Sequence, residues 1–402
     1  MFFKNENAKN ALRLGILCSI AYLACYFAKN ILSVVSPSMI DQGIYSVQYI
    51  GKLSTANMFF YAIGQLINGI IGDKITAKYM ISCGLFMTGI CNIVISVSDK
   101  NYLVLIAYSM IGFFLSMLYA PMTKVIAENT HPTHAYKCCL GLEFAAIFGV
   151  PIAGIVSLFL EWNIAFAVAG ITLILVGISS FILFTFFENK NIVKYTFKSK
   201  EAKNKSAVKT LIKHGIIKFT FISVLTGIVR TSVVFWIPTY LSQYLGFSTA
   251  RATTLFTVMT CIQSATPYIN IAMIYEKLLK RNMNQMLLLM FFLSTSSFIM
   301  MRMITLPILN VLFLLVAVIS AQGASSMLWS VYCPSLKDTG MVSTATGYLD
   351  FISYGAAALA NLLFANAVAQ IGWGNLILVW AALMFIGIII SYSKTKYKKT
   401  NI

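Results

Sequence analysis

Long apolar runs separated by short polar breaks dominate the chain. Twelve of them fall near 12–35, 50–71, 79–97, 102–127, 137–160, 163–187, 216–241, 253–275, 285–301, 308–332, 342–370 and 374–393. A helix that crosses a bilayer needs ~20 apolar residues, so twelve crossings use roughly 240 residues of the chain. One long polar segment, Glu188 to Gly215, interrupts the series and carries eight lysines: Lys190, Lys194, Lys198, Lys200, Lys203, Lys205, Lys209 and Lys213. It reads as a flexible or partly helical surface linker. The pattern therefore predicts an all-α integral membrane protein: a six-helix half over 1–187, a basic linker over 188–215 and a second six-helix half over 216–402.

Composition narrows the class. The 402 residues are 59% hydrophobic and 10% charged, which excludes a soluble enzyme or a disordered chain. The eight cysteines lie in or beside apolar runs without CxxC spacing, and read as small core residues. The N-terminal stretch is basic and leads into a run of full span length with no small-residue cleavage site, so no cleaved signal is expected. Lys and Arg together number 30 against 12 Asp and Glu, a net charge of +18. Such an excess can mark a nucleic-acid binder. Here the lysines and arginines cluster in alternate loops, and positive loops stay on the cytoplasmic side.

Lys74, Lys78, Lys137, the linker lysines, Lys277, Lys280, Arg281, Lys337 and the tail lysines Lys394, Lys396, Lys398 and Lys399 share that face. The opposite loops hold Lys52, Lys100, Arg251 and Arg302 with Asp41, Asp99 and Glu161. Four charges that cancel, those of Lys29, Glu143, Arg230 and Asp350, sit well within spans. The expectation is a plasma (inner) membrane protein with both termini cytoplasmic. Its excess charge suits anionic inner-leaflet lipid, not nucleic acid.

The two halves echo each other. Gly69-x-x-x-Asp73-Lys74-x-x-x-Lys78 at the end of the second run recurs 203 residues later as Ala272-x-x-x-Glu276-Lys277-x-x-x-Arg281. Glu143 with Phe148-Gly149 in the fifth run is matched by Asp350 with Tyr354-Gly355 in the eleventh. Trp162-Asn163 and Trp373-Gly374-Asn375 make a third echo. Such repeats in one orientation imply a pseudo-two-fold axis along the membrane normal.

Six plus six spans, a basic linker and a G-x-x-x-D-K-x-x-x-K loop resemble the major facilitator superfamily of secondary transporters. The resemblance implies a gating role for Gly69, Asp73, Lys74, Lys78, Glu276, Lys277 and Arg281. In that superfamily the corresponding residues cap helix ends and form an ion-pair network. Val229-Arg230-Thr-Ser-Val-Val-Phe-Trp236-Ile-Pro238-Thr239-Tyr240-Leu241 and Tyr26-Phe-Ala28-Lys29-Asn30 resemble segments of the organophosphate:phosphate antiporters within it. The departures are specific. That family's span-one arginine falls on Ala28, its span-two lysine on Gln65, and its central histidine near Ala146; Arg230 is the member of the basic set that is kept.

Ionisable residues inside a bilayer cost a few kcal/mol or more and normally face water or a partner. Arg230 offers a planar two-pronged donor to a carboxylate or phosphate; the alternative is a structural ion pair with Asp350 or Glu143. Lys29 shares a helix face with Tyr22 and Tyr26, though it can also snorkel outward. Ser54, Asn57, Tyr61, Gln65 and Asn68 make a polar stripe on the second run, which fits either a wet face or helix–helix glue. Thr346, Asp350, Ser353, Tyr354 and Asn361 make another on the eleventh. Asp350 and Glu143 are candidate proton carriers or ion-pair members, with Lys124 and Lys137 as alternative partners for Glu143. Pro121, Pro151, Pro238 and Pro267 read as tolerated kinks.

The substrate-binding set expected is thus Arg230, Lys29, Tyr26, Tyr22, Tyr61, Gln65, Asp350 and Tyr354. The activity expected is secondary active transport of a small anionic metabolite, an organophosphate or carboxylate, by alternating access with exchange or proton coupling. A membrane sensor of a sugar phosphate and proton-coupled efflux of lipophilic compounds are the alternatives. No HExxH, GxSxG or P-loop is present, so neither an enzyme nor a cofactor is expected. His131-x-x-His134 is an exposed-loop pair that could in principle hold a metal, and a monomer is expected.

Overall fold

The computed structural model of the protein describes residues 6–195 and 204–392. Lys198, Lys200, Lys203 and the four tail lysines lie outside the described residues, as do the side chains of Asp41, Lys205, Pro238 and Asn361. All twelve apolar runs are helical. They are α1 (Glu6–Asp41), α2 (Val47–Gly72), α3 (Ala77–Val97), α4 (101–129, with a turn at 116–118), α5 (Pro132–Phe159), α6 (Trp162–Asn189), α7 (216–243), α8 (249–278), α9 (Met283–Met303), α10 (307–335), α11 (342–371) and α12 (373–392). The last two read continuously as Val342–Tyr392, broken at Gly372, whose φ of 72° is left-handed and suits a residue without Cβ. Among the described residues, nine helical segments are long and apolar enough to cross a membrane by length and composition.

Three stretches are wound as π-helix: Ile228–Val233 in α7, Asn270–Leu278 in α8 and Met327–Tyr332 in α10. Each lies within a turn or so of a proline, Pro238, Pro267 and Pro334 respectively. A proline supplies no N–H and its ring crowds the carbonyl four residues back, which favours a wider turn just before it, as in α7 and α10.

The chain packs as two compact units. The first holds residues 1–209 with 333–351, the second 210–332 with 352–401. In the first, α1 packs on α5, α2 on α4 and α3 on α6. Span two's polar stripe divides there. Asn57 Nδ2 donates to the Tyr108 carbonyl at 2.8 Å and Asn68 Nδ2 to Ser116 Oγ at 2.7 Å, which fastens α2 to α4. In the second unit α9 packs on α10, and α10 also meets α8.

The linker does not begin as a loose tether. Val193 is buried, and the Lys194 backbone is gripped at both groups by Asn129: its N–H donates to Oδ1 at 2.6 Å and its carbonyl accepts from Nδ2 at 3.0 Å. Residues 192–195 thus run along the first unit, held there by Asn129. Asn129 ends α4 and finds the linker backbone 65 residues away, a pairing that composition does not signal. Further on, Asn204–Lys213 forms a short helix.

Candidate functional site

In the first unit, Lys29 is held between two aromatic rings. Its Nζ lies 4.0 Å from the centre of the Tyr61 ring on α2 and 5.1 Å from that of Tyr26, one turn back on α1. Such contacts stabilise an ammonium by ~0.5–2 kcal/mol. Tyr61 is buried, and one turn along the same face Gln65 is fully buried with neither amide atom hydrogen-bonded to protein. An unsatisfied buried amide costs ~1–3 kcal/mol, so a water or a ligand group is the natural complement. Tyr22 continues the α1 face, 4.9 Å from Tyr26 and 5.4 Å from Tyr119 of α4, measured between ring centres. Glu143 and Asp350 are both buried in this unit.

In the second unit, Arg230 sits in the π-wound turn of α7. Its guanidinium carbon lies 5.7 Å from the Trp329 ring, itself in the π-turn of α10, and 5.9 Å from Tyr354. Trp329 is a site neighbour that sequence reasoning missed; an aromatic in an apolar run gives no signal of its own. Lys218 was missed too. It lies near the start of α7, and its buried Nζ donates to Asn284 Oδ1 at 3.0 Å and to the Ser391 carbonyl at 3.1 Å.

The loop after α2 has a defined geometry in the first unit. Asp73 accepts from the backbone amides of Ser343 and Thr344 at 3.1 and 2.8 Å, at the first turn of α11. A carboxylate there satisfies orphan amides and faces the positive helix end. Lys124 Nζ lies 3.8 Å from Asp73 Oδ1 and donates to the Gly72 and Asp73 carbonyls. Burial outweighs these donors and pushes the Asp73 carboxyl above its ordinary range. Gly69 permits the approach: a methyl there would come within 2.9 Å of Gly347 Cα. Lys78 pairs with Glu188 at 2.6 Å, while Lys74 is exposed. In the second unit, Glu276 pairs with Arg281 at 3.2 Å and Lys277 is exposed. His131 caps α5, its Nδ1 2.8 Å from Thr133 Oγ1, and among the described residues no group of three or more His, Cys, Asp or Glu is placed to hold a metal.

Comparison with known proteins agrees with this architecture. The profile of the Major Facilitator Superfamily matches residues 18–361, and the chain belongs to that superfamily. Membership places it among membrane carriers and not among enzymes. The membrane sensor protein UhpC of Salmonella typhimurium is 26% identical over 95 residues, covering 24% of this chain and 22% of that protein. The glycerol-3-phosphate transporter of Bacillus subtilis is 25% identical over 272 residues, 61% of each. These matches span less than two thirds of the relatives' lengths. The human organic anion transporter MFSD10 superposes with a TM-score of 0.74 at 12% identity, covering 95% of this chain and 99% of that one. At that identity the likeness shows the fold alone.

Proposed function

We propose that the protein is a secondary transporter of a small anionic metabolite, an organophosphate or a carboxylate, working by alternating access. The observation that carries the proposal is Arg230, a planar cation within an apolar helix, set 5.7 and 5.9 Å from two aromatic rings. Such a guanidinium can present two parallel donors to a carboxylate or phosphate while its face rests on aromatic surface. Lys29, between Tyr26 and Tyr61, gives the first unit its own cationic group, with the Gln65 amide one turn away as a hydrogen-bond partner for a ligand. The likeness to the glycerol-3-phosphate transporter of Bacillus subtilis supports an anionic substrate. A single lysine and a single arginine favour a monoanion over a doubly charged phosphate.

Loop charge supports an inner-membrane orientation with both termini cytoplasmic. Of the 30 basic residues, four lie in the opposite loops and two, Lys29 and Arg230, deep within spans, which leaves 24 in or next to the cytoplasmic loops and termini; of the 12 acidic residues, three and two leave seven. The basic face thus holds +17 of the +18.

The test is a thermal-shift screen of purified protein against inorganic phosphate, glycerol 3-phosphate, simple carboxylates and lipophilic cations. Anions are expected to raise the midpoint of the wild type and not of Arg230→Ala. Equal stabilisation of both, or stabilisation by lipophilic cations alone, overturns the assignment. A sensor is the second reading, favoured by the likeness to UhpC. Anion binding without exchange or net flux in proteoliposomes would select it.

A further inference from the structure

Only His214 and Gly215 separate the short helix Asn204–Lys213 from α7, the span that carries Arg230. The junction is tight. The Gly215 N–H donates to the Ile212 carbonyl at 3.0 Å, and Gly215, with a left-handed φ of 81°, turns the chain into α7. His214 Nδ1 lies 2.8 Å from the Thr210 carbonyl, which closes the last turn of the helix. Residues 216–233 are long and apolar enough to cross a membrane. Two residues of chain reach no more than ~7 Å, so the end of the short helix stays at the membrane edge.

The helix has two sides. Lys205, Lys209 and Lys213 recur every four residues, which sets these positions along one side, and Val208, Leu211 and Ile212 fall on the adjoining arc. Lys209 and Lys213 are exposed. Leu211 is buried in the protein, whereas Ile212 keeps 48% of its surface exposed. Past the Gly215 turn, Ile217 and Phe221, one helical turn apart on α7, are 55% and 54% exposed. On a span, such a stripe meets acyl chains. Exposed lysines beside an exposed isoleucine, joined to a lipid-facing stripe, fit a helix lying in the membrane interface: apolar side chains reach the acyl boundary and ammonium groups stay at headgroup level. The charge names the headgroup. From Lys190 to Lys213 eight lysines stand against one acid, Glu201, so the segment complements a headgroup with net negative charge, not a zwitterionic one.

We propose that the helix Asn204–Lys213 is a docking element for anionic phospholipid, with Lys209 and Lys213 on headgroup phosphates and Ile212 seated at the acyl boundary. Bound lipid then fixes the entry of α7 to the bilayer surface. The proposal is independent of which substrate is carried and of which leaflet the helix meets.

The test needs no substrate. The full chain is placed in nanodiscs of phosphatidylcholine alone, or of phosphatidylcholine mixed with phosphatidylglycerol, and amide hydrogen exchange is followed by mass spectrometry. Exchange across 204–214 is expected to be about 5-fold slower or more in the anionic discs, the equivalent of one lysine held at the surface. In the wild type, raising NaCl from about 0.05 to 0.5 M shortens the reach of a charge about threefold and is expected to erase the difference. Lys209→Gln with Lys213→Gln is expected to remove most of it, and Lys209→Arg with Lys213→Arg to keep it. Taking two charges from the tail instead, with Lys394→Gln and Lys396→Gln, is expected to leave it in place. Ile212→Ser is expected to speed exchange of the helix in both kinds of disc. Equal exchange of the wild type in the two kinds of disc, or a difference that survives high salt, overturns the proposal without recourse to any variant. A tail variant as affected as the helix variant reduces the effect to overall charge and overturns it too. Unchanged exchange in Ile212→Ser removes the seat at the acyl boundary. Equal slowing in phosphatidylcholine discs on adding inorganic phosphate overturns the lipid in favour of a soluble anion.

Discussion

Asp73 and Thr344 are 271 residues apart in sequence, yet the carboxylate of one accepts the backbone N–H of the other at 2.8 Å. With the Ser343 amide this fixes the end of α2 to the first turn of α11. Asp73→Ala is expected to cost about 1–2 kcal/mol, the usual loss on deleting a helix-capping acceptor. Asp73→Asn keeps one acceptor and is expected to cost less than half of that. Thermal unfolding followed by tryptophan fluorescence separates the two; equal midpoints for Ala and wild type would show that the cap contributes nothing.

The same residue sets a pH dependence. Its carboxyl is raised above the ordinary value of about 4 by burial, so the folded state binds the proton more tightly than the unfolded one. Such a group adds stability below its folded pKa and loses that contribution as pH rises through it. The midpoint of Asp73→Asn is expected to vary less with pH between 4 and 7 than that of the wild type.

Gly347 tolerates no side chain. A Cβ there would fall on the Gln65 carbonyl oxygen and come to 2.7 Å of Gly69 Cα. Both neighbours are backbone, so helix α11 itself would have to move. Gly347→Ala is expected to lose about 1–3 kcal/mol by overpacking, read as a lowered thermal midpoint in detergent.

The Tyr61 ring lies with its centre 4.0 Å from the Lys29 ammonium, close enough for a cation–π contact. Tyr61→Phe is therefore expected to keep anion-dependent stabilisation, and Tyr61→Leu to weaken it about 2- to 10-fold, the equivalent of a lost cation–π contact. Concentration series of glycerol 3-phosphate in the thermal-shift assay measure this. A Phe variant as impaired as Leu would point to the hydroxyl instead.

Asn129 clamps the start of the linker. Asn129→Ala is expected to speed tryptic cleavage after Lys190 and Lys194 several-fold while leaving cleavage after exposed Lys100 unchanged. Time courses resolved by mass spectrometry give the ratio. Unchanged cleavage after Lys194 would show the clamp to be too weak to hold the strand.

Lys218 serves as a tether to α9 and α12 through Asn284 and Ser391. Lys218→Ala is expected to lower the thermal midpoint by the equivalent of about 1–3 kcal/mol without changing the stabilisation given by anions. Loss of anion response in a folded variant would move Lys218 into the binding site.

The twelve helices and the charged loops were legible because both depend on local composition: apolar runs of span length must satisfy their own backbone bonds in lipid, and lysines clustered in alternate loops need no knowledge of packing. The Asp73 loop and the four intramembrane charges could likewise be picked out by type and place. What each side chain meets was a matter of tertiary structure. The stripe on α2 has one helical period, yet Asn57 and Asn68 bind α4, Tyr61 faces Lys29, and Gln65 is left with an unsatisfied amide. Periodicity names a face but not its neighbour. The partners of Asp73 lie 270 and 271 residues away, and the Arg230 neighbour Trp329 lies in a π-turn that no repeat in the sequence marks. Hydrogen bonds and ring contacts act over a few ångströms, so only the folded chain brings such distant positions within their range.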